Sequence, residues 1–233
     1  MNSDTSILSC KNLSIGYSNK TLVADINLEA KQGELIALMG LNGTGKTTLF
    51  KTIFKEIPLV SGDILIDNRQ ISELDLQQLI SIVYTDRVSI FGFTVRDMVA
   101  MGRMPHTNLF GKLTKADKEL IESNINSLGL ENIADMEINS LSDGQFQKVM
   151  IARALAQETP IIMLDEPTAF LDIKNKKMID SLLHELTTKH NKTIIVSTHN
   201  LEFSKAFCSK VWLIENGKMT EKSPDSLSEA NFL

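Results

Sequence analysis

Cysteine is scarce in this chain, and long apolar runs and a basic excess are missing. The two cysteines, Cys10 and Cys208, lie far apart and make neither a metal-binding nor a redox spacing. They read as small, partly buried residues of a reducing compartment. No stretch approaches the roughly 20 consecutive apolar residues that a membrane-spanning helix needs. Residues 1–9 lack a basic segment followed by an apolar one, so no signal peptide is expected and any membrane link would come through a partner. The formal net charge of −5 disfavours nucleic acid as the main ligand, because phosphate backbones reward basic surfaces. Low-complexity tracts, Pro/Gly-rich linkers and internal repeats are missing too.

What is present suits one α/β domain over residues 1–233, since 42% of the chain is hydrophobic and 23% charged. Short apolar segments at 7–10, 13–15 and 22–28 alternate with turns and predict antiparallel strands. Continuous apolar runs at 35–39, 161–164, 193–196 and 211–214 predict strands buried on both faces, as in a parallel sheet. Asn216-Gly217 after the last run predicts a tight turn into an antiparallel return strand. Between about 90 and 157 the period changes, and 114–128 and 143–157 read as helices. A helical subdomain is therefore expected there, and a loosely packed polar tail over 222–233.

Gly40-Leu41-Asn42-Gly43-Thr44-Gly45-Lys46-Thr47, continued by Thr48, follows a predicted buried strand and opens a predicted helix over 46–54. The glycines let backbone N–H groups converge on phosphate oxygens, and the helix start adds a positive dipole end. Lys46 can reach the β and γ phosphates of ATP, and Thr47 can offer its hydroxyl to Mg²⁺. Asp165-Glu166 ends the run 161–164, at the sheet edge where open α/β sheets bind ligands. Two charges can simply end a strand. Beside a phosphate loop they predict that Asp165 holds Mg²⁺ and Glu166 polarises the attacking water.

With Leu141-Ser142-Asp143-Gly144-Gln145 some twenty residues before Asp165, the chain resembles the ATPase subunits of ABC transporters over residues 7–217. The resemblance implies a P-loop, RecA-like α/β core with an antiparallel β subdomain and a helical subdomain. It implies ATP and Mg²⁺ as cofactors and places Tyr17 on the adenine; a strand-face core tyrosine is the bland alternative. Asp172 would face a partner subunit, and His199 would contact the γ-phosphate. Two copies would pair head to tail, each ATP lying between one copy's phosphate loop and the other's Ser142, Gly144 and Gln145. Ser142-x-x-Gln145 is also a capping-box pattern, compatible with both a plain helix cap and that contact. Asp143 stands where the family has glycine, and Asp86 where it has glutamine. Asp86 could hold Mg²⁺ or its waters, but ionised it only accepts hydrogen bonds.

Residues 93–106, ending Gly102-Arg103-Met104-Pro105-His106, resemble the segment found in importers of iron–siderophore, haem and cobalamin complexes. A generic helical surface is the bland alternative. The resemblance implies a permease docked on this region, indirectly a substrate-binding protein, and a peripheral location on the cytoplasmic face of a bacterial-type inner membrane. A non-transport ATPase working on DNA or ribosomes, and an exporter or lipoprotein-release subunit, are the competing expectations. The first usually carries coiled coils or two cassettes, and the Gly102–His106 segment disfavours the second.

Overall fold

The computed structural model describes residues 6–17, 20–87, 91–107 and 111–228, with the Leu74 side chain left out. The first five residues of the expected leaderless N-terminus and residues 229–233 of the expected tail lie outside the described residues. In chain order the strands and helices begin with β1 (Ser6–Tyr17), β2 (Lys20–Lys31), β3 (Leu35–Gly40), α1 (Lys46–Ile53), β4 (Ser61–Ile66), α2 (Glu73–Leu79) and β5 (Ile80–Val83). Three helices follow, α3 (Val95–Met101), α4 (Lys115–Ser127) and α5 (Asp143–Ala156). The rest are β6 (Ile161–Asp165), α6 (Ile173–Thr188), β7 (Thr193–Ser197), α7 (Leu201–Phe207), β8 (Lys210–Glu215) and β9 (Lys218–Lys222).

Two sheets result. The first is antiparallel in the order β2-β1-β4. The second runs β5-β6-β7-β3-β8-β9, parallel except for β9, which returns from β8 through Asn216-Gly217 as the sequence predicts. The continuous apolar runs have a direct cause. Leu35, Ala37 and Met39 of β3 enter one core, with α3, α5 and α6, while Ile36 and Leu38 enter the other, with α1 and the antiparallel sheet. A strand with a core on each face favours apolar residues at every position, and polar ones are buried there only with a hydrogen-bond partner, as Ser197 is with Asp165.

The structure departs from the sequence reading in several places. Strand β4 is an addition, and the expected loose tail is anchored where Pro224 and Leu227 are buried, Leu227 in the core that also holds Phe203 of α7. The segments 7–10 and 13–15 are one strand, because Asn12 takes a left-handed backbone (φ 48°) and absorbs the break as a bulge between Cys10 and Leu13. Helices α2, α6 and α7 are also additions. Helix α6 fully buries only Ile179, Leu183 and Thr187, a narrow stripe, and α2 and α7 are too short for a clear period.

The segment 102–106 supplies internal braces. A Cβ on Gly102 would lie 2.2 Å from the Arg153 carbonyl oxygen, so only glycine lets α3 end against α5. Arg103 is buried, its Nε 2.8 Å from Asp117 Oδ1 and its Nη1 2.7 Å from the Ala156 carbonyl and 2.8 Å from Glu158 Oε2. His106 Nε2 lies 2.8 Å from the Gln157 carbonyl. The Thr114 hydroxyl and N–H, then Arg103, hold the Asp117 carboxyl down to about 2. That lies below its unfolded value, so the stabilisation is complete above about pH 5 and fades as pH falls from about 4 towards 2. Arg103→Ala is expected to cost about 2 kcal/mol at pH 7, the value of charged hydrogen bonds with little water to replace them. Urea unfolding checks this, and the variant's loss of stability below pH 4 should be shallower than that of the parent chain.

Candidate functional site

Helix α1 begins differently from every other α-helix among the described residues. Side chains of Ser72, Thr94, Thr114, Ser142, Asp172 and Asn200 cap α2 to α7 in turn. Helix α1 starts on Gly45, at φ 115°, with no side-chain cap. Its first N–H groups are therefore open to an anion, and the positive φ makes glycine the residue for that position. The Thr44 hydroxyl donates to the Leu41 carbonyl at 2.8 Å and closes the loop over 40–45. Lys46 is buried, donating to the carbonyls of Gly40 at 2.8 Å and Leu41 at 3.1 Å, with Glu166 Oε1 4.0 Å away. Burial lowers its pKa, while Glu166 and Asp165 pull it back up.

An open cleft of about 440 Å³ lies over this loop, lined by Tyr17, Leu22, Asn42, Gly43, Gly45, Lys46, Thr47, Thr48 and Glu166. Its size suits a small-molecule ligand. Tyr17 is half exposed at the cleft, with its hydroxyl 3.5 Å from Thr48 Oγ1.

The sheet edge completes the constellation. Strands β6 and β7 run in register with Asp165 beside Ser197. Thr47 Oγ1 donates to Asp165 Oδ2 at 2.6 Å, and Ser197 Oγ donates to Asp165 Oδ1 at 2.5 Å. The Thr85 hydroxyl, just past β5, donates to the Asp165 carbonyl at 2.8 Å. The Glu166 backbone takes φ 44°, a region costly for a non-glycine residue, and its N–H lies 2.9 Å from Ser197 Oγ and 3.2 Å from the Ser197 carbonyl. That turn brings Glu166 Oε1 within 2.8 Å of His199 Nε2. Ser197 and Thr85 had no role in the sequence reading. The available signal was that each ends or follows an apolar run destined for the same sheet edge.

Hard oxygen donors one hydrogen bond apart, Thr47 Oγ1 and Asp165 Oδ2, fit a magnesium ion that takes its remaining ligands from water and phosphate. Asp86 takes no part in the bonds that tie Thr47 to Asp165. It is exposed, follows Thr85, and makes no hydrogen bond or ion pair among the described residues. Asp86→Gln is therefore expected to keep the ATPase rate within about threefold of the parent or raise it, because an exposed carboxylate without a bonded partner has little for the amide to lose. A collapse of steady-state phosphate release in that variant would show that the carboxylate itself is needed.

Ser142, Gly144, Gln145 and Asp172 do not line the cleft of their own chain. The Gln145 N–H donates to Ser142 Oγ at 3.3 Å and the Ser142 N–H donates to Gln145 Oε1 at 3.0 Å, the expected capping box. A Cβ on Gly144 would come within 3.1 Å of the Phe170 carbonyl oxygen, which packs α5 close to the segment before α6. Asp172 accepts from the Asn175 N–H at 2.7 Å, the first cause of its lowered pKa.

The ABC transporter family profile matches residues 23–169. The chain belongs to this family. An uncharacterised ABC transporter ATP-binding protein of Methanocaldococcus jannaschii is 40% identical over 91% of this chain and 74% of its own length. The iron(3+)-hydroxamate import ATP-binding protein FhuC of Bacillus subtilis is 32% identical over 92% of this chain and 81% of its own. Among solved structures, a metal-chelate type ABC transporter in an inward-facing conformation is 31% identical with TM-score 0.84, over 97% of this chain and 87% of that one. A dimeric ATP-binding cassette in a post-hydrolysis state, bound to ADP and phosphate, is 26% identical with TM-score 0.83, over 94% of this chain and 100% of that one. This ABC ATPase therefore has a P-loop NTPase fold and hydrolyses ATP. No described helix is long and apolar enough to cross a membrane.

Proposed function

We propose that this ABC ATPase energises import of a metal chelate, an iron–siderophore complex before haem or cobalamin, through a permease on whose cytoplasmic side it sits. The bond between Glu166 and His199 beside Lys46 carries the hydrolytic part of the reading. The iron-hydroxamate relative and the metal-chelate transporter support the cargo. Phe91, Met101 and Met104 leave apolar side chains exposed around the 91–106 segment, which supports a docked membrane partner. A substrate-binding protein on the far side of the membrane would deliver the chelate to the permease.

In this reading Tyr17 stacks on adenine, and the backbone of 40–45 with Lys46 and Thr48 cradles the phosphates. Thr47 and Asp165 would hold Mg²⁺, which when bound offsets phosphate charge. Glu166 takes the proton of the attacking water, and His199 fixes the carboxylate and contacts the γ-phosphate. A second copy, packed head to tail, brings Ser142, Gly144 and Gln145 over the first copy's ATP, with Asp172 at the shared face. A monomer should then bind ATP and hydrolyse it poorly. The test is co-purification of the permease from membranes, reconstitution in vesicles, and uptake of labelled ferric hydroxamate, haem and cobalamin. ATP-driven uptake of one of them is expected. Failure of all three with an ATPase that responds to DNA or ribosomes would overturn the importer reading.

A further inference from the structure

Asp143 is the first residue of α5, the helix whose start would meet a partner's triphosphate in the paired site proposed above. A free carboxylate there would repel the γ-phosphate. In this chain it is matched. Arg87 Nη1 lies 2.8 Å from Asp143 Oδ1. Arg87 Nη2 donates to the carbonyls of Ile138 at 3.4 Å and Asn139 at 3.2 Å, and its guanidinium carbon lies 5.2 Å from the Phe146 ring centroid. The guanidinium is thus held by carbonyls through one nitrogen and by the carboxylate through the other, and sits over an aromatic ring. Arg87 belongs to the segment after β5, two residues beyond Thr85, whose hydroxyl is tied to the Asp165 carbonyl. A short run of contacts therefore joins the acidic strand end to the start of α5.

We propose that Arg87 is a positioning residue that neutralises Asp143 and fixes the start of α5 to the segment beyond β5, so that a signature with aspartate in place of glycine still accepts the partner's γ-phosphate. The proposal rests on the paired reading of the site. The two side chains are 33% and 59% exposed, so as an ion pair they contribute little to folding. Their consequence lies at the shared face, where like charges brought together without water repel far more strongly.

The test is a double-mutant cycle of R87A, D143G and R87A/D143G, with R87K beside it. It is read as steady-state kcat and KM, and as ATP-driven dimerisation on the E166Q background. R87A is expected to lower kcat about tenfold and to raise the ATP concentration needed for dimerisation, with unchanged melting of the nucleotide-free chain. On the D143G background the same arginine change should cost less than about twofold, because the charge to be neutralised is gone. R87K, which keeps the charge and loses the fork, should recover part of the rate. An equal loss with and without Asp143 would overturn the proposal, since Arg87 would then act on Ile138, Asn139 and Phe146 alone. E166Q that fails to dimerise with Arg87 intact would sink the paired site and this role with it. E166Q that dimerises without Arg87–Asp143 coupling removes only this role.

Discussion

Glu166→Gln is expected to cut ATP turnover about 10³-fold, about 4 kcal/mol of barrier, while ATP binding is kept or tightened. The amide preserves the shape of the carboxylate and one acceptor oxygen for His199 Nε2, now 2.8 Å from Oε1. It loses the basicity that accepts a proton from water. It also removes a negative charge beside the triphosphate site, and two such charges about 5 Å apart at an effective dielectric of 20 repel by about 3 kcal/mol. The variant should therefore accumulate as an ATP-bound dimer. Single-turnover phosphate release together with size-exclusion chromatography in ATP measures both halves. Normal turnover in Glu166→Gln would remove Glu166 as the base and leave its hydrogen bond to His199 as a structural tie.

The parts of the site that lie consecutively in the chain were legible in the sequence. The phosphate loop needs its strand, its glycines and its helix in one order, and Gly40 to Thr48 supply them in nine residues. Asp165 and Glu166 announce themselves because two acids interrupt an apolar run. What the sequence hid is what the parallel sheet brings together sideways. Ser197 meets Asp165 only because β6 and β7 are neighbours in one register, and Thr85 meets it only because β5 flanks β6 on the other side. The left-handed turn at Glu166 is likewise a consequence of both bonds from its N–H to Ser197, not of any local preference of glutamate. The 102–106 segment shows the opposite limit. Its pattern was visible, and the resemblance suggested a docking surface. Yet Gly102 and Arg103 face the inside of the helical region, His106 is exposed but tied to the Gln157 carbonyl, and the exposed apolar side chains are Met104 of the segment itself with Phe91 and Met101 beside it. A motif can mark the region that meets a partner while its own residues hold that region in shape.

Lys46→Ala is expected to act at the other end of the cycle and weaken ATP binding by about 10²- to 10³-fold, about 3–4 kcal/mol. Two losses combine. In the proposed site the ammonium would be the phosphate loop's own cation for the β and γ phosphates, and it is buried where little water screens it. It also holds the loop closed through the Gly40 and Leu41 carbonyls, at 2.8 and 3.1 Å, and alanine leaves both oxygens without that donor. Lys46→Arg should not rescue binding, because the rigid guanidinium fork cannot occupy the space of a compact ammonium tucked against two carbonyls. Glu166→Gln and Lys46→Ala separate binding from chemistry by where they fail. Glu166→Gln should saturate with ATP and stall, and Lys46→Ala should fail to saturate at concentrations that fill the parent chain. Titration with a fluorescent ATP analogue distinguishes them. Parent-like affinity in Lys46→Ala would mean that the uncapped start of α1 alone carries the phosphate charge.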